Sequence, residues 1–160
     1  MDTAKAAQII DDIAKDITRW DQTTWTNIGL SDDSFYGDVT AYKEKTEENQ
    51  IINCGTTACI AGHGAFIFAP VGTQFFGDHI RFPLDKETNQ RPRMDYPTFT
   101  GRTLELTRDE EEYLFSGRRT WEQILAFVRT DDAGRHAILV GEFGSPYLTC
   151  NDEGQCSYPH

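Results

Sequence analysis

The chain has no apolar run long enough to cross a bilayer. Its longest nearly uncharged stretch, Cys59 to Gly72, is interrupted by His63, Gly64 and Pro70, well short of the ~20 apolar residues that a spanning helix needs. Positive charge is also scarce: 15 Lys+Arg stand against 26 Asp+Glu, a net charge of −11. That balance repels a phosphate backbone, so no direct nucleic-acid binding and no membrane association are expected. A phosphate-binding glycine loop, a G-x-S-x-G elbow and an H-E-x-x-H helix are all missing, and with them the chemistries those motifs mark. No basic-then-apolar leader follows Met1, because Asp2, Asp11, Asp12 and Asp16 occupy that end. The expectation is an unexported, cytoplasmic protein.

What is present suffices for one packed domain over 1–160. A chain of this length buries roughly 70% of its unfolded surface, and 3 Trp, 6 Tyr and 10 Phe supply a core and exclude a wholly disordered chain. Charge is unevenly placed. Residues 1–53 and 105–160 each carry 5 basic and 11 acidic side chains, while residues 54–104 carry 5 basic and 4 acidic ones. The central stretch, with Arg81, Lys86, Arg91, Arg93 and Arg102, is where an anion would be welcome; the bland alternative is a solvated surface.

Residues 4–20 show the cleanest helical period. Ala6, Ile9, Ile10, Ile13, Ala14, Ile17 and Trp20 recur every three or four residues among acidic neighbours, one apolar stripe that must dock on a core. Trp25 and Ile28 are expected to continue that docking surface. Residues 31–50 read as a surface loop. The spacing predicts a second helix over 56–69, capped by Thr56 or Thr57 and ended by Pro70. Ala58, Ala61, Gly62, Ala65 and Ala69 line it with small side chains, so a neighbouring helix can approach closely, the first helix being the obvious partner. Residues 71–103 read as a loop and strand insertion, with extended pieces near 73–76 and 79–82. Thr107/Glu110 and Thr120/Gln123 have capping-box spacing and open two further helices. Residues 133–140 are a helix or a buried strand, and 141–160 a loop and hairpin. The fold class is therefore mainly α, with α+β as the alternative, and short strands confined to 71–103 and 141–160.

Four cysteines form two local pairs, Cys54/Cys59 and Cys150/Cys156. A reducing cytosol favours thiols; a hairpin closed by residues 151–155 would set Cys150 opposite Cys156, where a disulfide is the alternative. The segment Cys54-Gly55-Thr56-Thr57-Ala58-Cys59-Ile60-Ala61-Gly62-His63 admits three readings. In the first, the helix N-terminus lowers a thiol pKa, and Cys54 or Cys59 attacks with His63 or His79 as base. In the second, Cys54, Cys59, His63 and His79 hold zinc, although the C-x4-C-x3-H spacing departs from the usual patterns. In the third, which takes most of the weight, both cysteines are small buried hydrophobes and His63 is a hydrogen-bonded residue at the helix edge. His136 and His160 stand alone.

Three blocks carry a resemblance: Arg19-Trp20-Asp21-Gln22-Thr23-Thr24-Trp25, the Cys54–His63 segment, and Leu104-Glu105-Leu106-Thr107 leading to Tyr113-Leu114-Phe115. Together they resemble a family of small uncharacterised proteins of actinobacteria and their bacteriophages, with a CGTxxCxAG core followed by Trp or His and an LxLTxxE…LF helix start. Tryptophan commonly stands in that pattern where this chain has His63. The resemblance implies a bacterial host cell and no particular reaction.

The function expected from all this is a non-enzymatic, acidic interaction protein without cofactor, phage-encoded in one version. It would bind a host or phage protein, for instance a basic nucleic-acid-binding protein, by presenting carboxylates where phosphates would lie. The alternative is a cysteine-dependent enzyme, or a metal- or anionic-ligand-binding protein, using Cys54, Cys59 and His63. His79, Arg81, Arg91 and Arg93 are then the candidate ligand-binding groups.

Overall fold

The structure, a computed structural model, describes residues 1–22 and 58–144, and the backbone of 43–44, 149–150 and 156–157. The apolar stripe of the N-terminal segment does form a helix, α1 (Thr3–Lys15), which buries Ala6, Ile9, Ile10 and Ile13. Asp2 caps it by accepting a bond from the Lys5 amide at 3.1 Å. The helix stops earlier than its period predicts. Asp16 adopts φ −152°, ψ 89° and turns its carboxylate onto the Thr18 amide, at 3.2 Å, and onto the Thr18 hydroxyl at 2.6 Å. Aspartate competing for local amides in this way ends helices. A 3-10 turn over Ile17–Arg19 follows, and Ile17, expected on the buried stripe, is exposed.

The second helix, α2 (Ile60–Phe68), begins four residues later than expected, with Cys59 rather than a threonine at its N-cap. The cause is a long-range pairing. Trp20 and Ala58 form a parallel bridge, in which the Ala58 amide donates to Arg19 O at 2.9 Å and the Asp21 amide donates to Ala58 O at 3.1 Å. Residue 58 is thereby held extended and cannot be helical. From Ile60 through Phe66 every residue of α2 is buried, as the small-residue strip predicts.

Between residues 71 and 103 the expected strands appear as β2 (Gln74–Phe75) and β3 (His79–Arg81), joined by β4 (Arg93–Asp95). With β1 (Lys43–Glu44), which lies in the 31–50 stretch expected to be loop and outside the two stretches to which strands were expected to be confined, they form one antiparallel sheet in the order β1-β2-β3-β4. The same stretch also holds a helix that the sequence reading lacked, α3 (Tyr96–Thr103), capped by Asp95 with Pro97 in its first turn. Proline at a helix start gives up an amide that has no intrahelical partner anyway. It is α3, as much as α1, that approaches α2 closely. A Cβ built on Gly64 would collide with the Thr100 side chain, and would lie 3.1 Å from Ile9 Cδ1. The Thr100 hydroxyl donates to Ala61 O at 2.7 Å across that interface. The Tyr96 hydroxyl, from the start of α3, donates to Phe76 O and ties helix to sheet.

Both capping boxes form as spaced. Thr107 and Glu110 open α4 (Arg108–Leu114), and Thr120 and Gln123 open α5 (Trp121–Arg129). The ambiguous run after Asp131 is a helix, α6 (Asp132–Phe143), capped by the Asp131 carboxylate on the Gly134 amide. Its buried Arg135 is closed in by charge. Arg135 Nε lies 3.7 Å from Glu110 of α4, and its guanidinium also pairs with Asp132 and donates to Thr130 O at 2.5 Å. The core is shared by all these elements. Phe66 of α2 meets Phe75 of β2 at 5.1 Å, Tyr113 of α4 stacks on Phe127 of α5 at 4.5 Å, and Trp20 leans on Trp121 at 5.7 Å.

At the C-terminal end β5 (Thr149–Cys150) pairs antiparallel with β6 (Cys156–Ser157), with Cys150 and Cys156 as direct partners. The expected hairpin is present, while the disulfide question concerns side chains outside the described residues. So do the surface loop over 31–50, apart from the β1 backbone, and the docking role of Trp25 and Ile28. The architecture is mainly α with a small antiparallel sheet. No helix among the described residues is long and apolar enough to cross a membrane.

Candidate functional site

Cys59 and His63 sit where α2 meets α1. Cys54 lies outside the described residues, so the pair is judged without it. As N-cap, Cys59 places its sulfur near the first amides of the helix, and those of Ala61 and Gly62 favour a thiolate. Burial opposes them and wins. Cys59 is 0% exposed, and desolvation pushes its thiol up to about 11, with the Asp21 charge adding to the rise. At neutral pH roughly one sulfur in ten thousand would be ionised. The helix N-terminus, on which the nucleophile reading rested, is real but smaller than the cost of taking a negative charge out of water.

His63 is also 0% exposed. Its Nε2 lies 3.1 Å from Arg19 O; a carbonyl only accepts, so this nitrogen carries the proton and donates. Its Nδ1 lies 3.6 Å from Asp12 Oδ2, an ion-pair separation longer than a hydrogen bond. The ring meets Phe66 edge-on at 6.1 Å. Both nitrogens are thus turned toward oxygens of α1 and the turn after it, and neither reaches a surface where a substrate could collect its proton. Asp12 is also 3.8 Å from Arg19 and 3.6 Å from Lys15. His63 first, then the Arg19 and Lys15 charges, hold its carboxyl below the usual carboxylate range against the opposing effect of burial.

Gln22 completes this junction and escaped the sequence reading. Its side-chain amide donates to Leu114 O at 2.7 Å and Ser116 O at 3.1 Å, while its Oε1 accepts from the Ile60 amide at 3.5 Å. One glutamine therefore serves the start of α2 and the end of α4 together. Asp12 could have been suspected from its place at the edge of the apolar stripe. Gln22, in a polar run, gives no such signal.

His79 lies elsewhere, on β3. Its Nδ1 is 2.5 Å from Asp78 Oδ1, and its ring stacks on Phe76 at 4.6 Å and 1°. The His79 contact is the main reason that the Asp78 carboxyl is lowered. Among the described residues no group of three or more His, Cys, Asp or Glu side chains is arranged to hold a metal; Cys59, His63 and His79 are not gathered into one. Arg81 and Arg93 occupy the sheet, opposite each other across β3 and β4, and Arg91 precedes β4; all three are exposed. His136 is half-buried on α6, and His160 is outside the described residues. Comparison with family models, curated proteins and solved structures finds no match to this chain.

Proposed function

We propose that this protein is a non-enzymatic, acidic interaction protein, encoded by an actinobacterial phage or its host, that binds a basic partner in the cytoplasm. The observation that carries this reading is the burial of Cys59 and His63, with the imidazole Nε2 bonded to Arg19 O and Nδ1 facing Asp12 of α1. That arrangement favours packing over nucleophilic chemistry in the one segment whose residue types suggest a reaction. Carboxylates at Asp11, Asp16, Glu112, Glu122 and Asp131 are exposed, and the net charge of −11 steers toward positively charged surfaces.

Two measurements on the full chain test the reading. Immobilised protein should retain a basic protein from bacterial extract that is released both by salt and by added duplex DNA, as expected for carboxylates standing in for phosphates. Iodoacetamide should leave Cys59 unlabelled in the native protein and label it in denaturant. Rapid native alkylation of Cys59, or retention of no basic protein, overturns the proposal.

A further inference from the structure

Arg81 and Arg93 are direct partners across the β3–β4 ladder, and both are exposed. Side chains so placed share one face of the sheet with Cβ atoms about 5 Å apart, where like charges destabilise unless something neutralises them. The local carboxylates are engaged otherwise. Asp85 accepts from the Glu87 amide at 2.8 Å and the Thr88 amide at 3.1 Å. Asp95 caps α3 through the Thr98 amide at 2.8 Å and hydroxyl at 2.9 Å. Asp78 is held by His79 and reaches Arg93 at 3.5 Å, with both side chains mostly exposed, a pair of little worth in water.

Arg81 makes no ion pair among the described residues. Its guanidinium lies 4.7 Å from the centroid of Phe76, a contact that positions the charge without cancelling it. Phe76 is in turn stacked on the buried His79 ring, whose Nε2 has no hydrogen-bond partner. The same sheet row continues from Arg81 through Gln74 to the register position of Glu44, two strands and about 10 Å away. In a chain of net charge −11, two exposed arginines are thus direct partners on one face of the sheet, one guanidinium held over an aromatic ring. Arg91 is nearby along the chain.

We propose that Arg81 and Arg93 together bind a phosphoryl oxyanion on this face of the sheet. Two planar guanidinium forks call for more acceptor oxygens than one carboxylate presents, and a phosphoryl group supplies them. The overall negative charge disfavours a nucleic-acid backbone, which leaves free phosphate or a singly phosphorylated side chain as the source. Asp78 is the internal competitor for Arg93.

The test is a titration of the 15N-labelled full chain with inorganic phosphate at constant ionic strength, with chloride as control. Saturable shifts are expected at the amides of residues 79–81 and 93–95, with none from chloride. R81Q and R93Q should each weaken binding about tenfold, the loss expected for one charge-assisted contact. D78N, which keeps both arginines and removes the competitor, should tighten it, and thermal melting identifies any variant that does not fold. A phosphoserine peptide binding more tightly than phosphate assigns the source to a phosphorylated protein; equal or weaker binding assigns it to free phosphate. Phosphate shifts no larger than those of chloride, unchanged affinity in both arginine variants, or weaker binding by folded D78N overturns the proposal.

Discussion

Replacing Gly64 by alanine sets two opposed effects of similar size against each other. Alanine in a helix interior is favoured over glycine by about 1 kcal/mol, so on propensity alone the variant should be more stable. The interface says otherwise. The new Cβ would collide with Thr100 Cγ2 and stand 2.8 Å from Thr100 Oγ1 and 3.1 Å from Ile9 Cδ1, and both Thr100 and Ile9 are themselves fully buried. Overpacking of this kind costs about 1–3 kcal/mol. Turning Thr100 away would forfeit its 2.7 Å bond to Ala61 O, about 1 kcal/mol more. The expected net effect of G64A is a loss of about 1–3 kcal/mol, read as a lower urea midpoint with unchanged slope and a Tm lower by roughly 2–10 °C. The decisive measurement is a double-mutant cycle with T100A, which removes both atoms that the Cβ meets. G64A should cost clearly less in the T100A background, with a coupling of about 1 kcal/mol or more. A neutral or stabilising G64A that adds independently to T100A would refute the close approach of α2 and α3.

D12N tests the α1–α2 junction through pH. Because Asp12 titrates below the usual carboxylate range in the fold, its ionised form contributes stability above about pH 4 and loses it as pH falls through the lowered native value. D12N should be less stable than the wild type at pH 7, and the gap should close as pH falls below about 4 in urea melts. A gap that stays constant over that range refutes the pairing. R135A should cost about 2–3 kcal/mol, because it empties a buried site and leaves the Glu110 carboxylate with only the Thr107 amide at 2.9 Å and the Met1 ammonium at 3.8 Å; an unchanged urea midpoint refutes the pairing.

Elements fixed by neighbours in sequence were legible, and those fixed across the chain were not. The stripe of Ile9, Ile10 and Ile13 and the Thr107/Glu110 and Thr120/Gln123 boxes need only residues three or four apart, and each lies as expected. The missed α3 has few apolar residues and carries Pro97 and Gly101, so no hydrophobic period marks it. Its readable signal was the N-cap Asp95 followed by proline near the helix start. The start of α2 was misplaced because Thr56 and Thr57 offer good local caps, yet Ala58 is held extended by Arg19 and Asp21, some 40 positions earlier. At the candidate site, the burial of Cys59 could be read from the surrounding alanine and glycine, whereas His63, expected at the helix edge, is fully buried. Asp12 stands out beside the apolar stripe, but its pairing with His63 could not be read, because the two belong to different helices.

That same junction gives physical meaning to the three blocks on which the resemblance rests. Arg19 from the first block accepts hydrogen bonds from Ala58 and His63 of the second, and Gln22 of the first bonds Leu114 of the third and Ile60 of the second. Blocks distant in sequence are therefore needed together to satisfy buried backbone groups, a requirement that holds whatever the protein binds. An indole offers one N–H donor, so a tryptophan in place of His63 could serve the Arg19 carbonyl but would have no second N–H to turn toward Asp12. The pairing with Asp12 therefore depends on histidine at this position. A buried ring that closes off a main-chain carbonyl serves packing, whereas Arg81 and Arg93 stand exposed on the sheet, where a ligand can reach them.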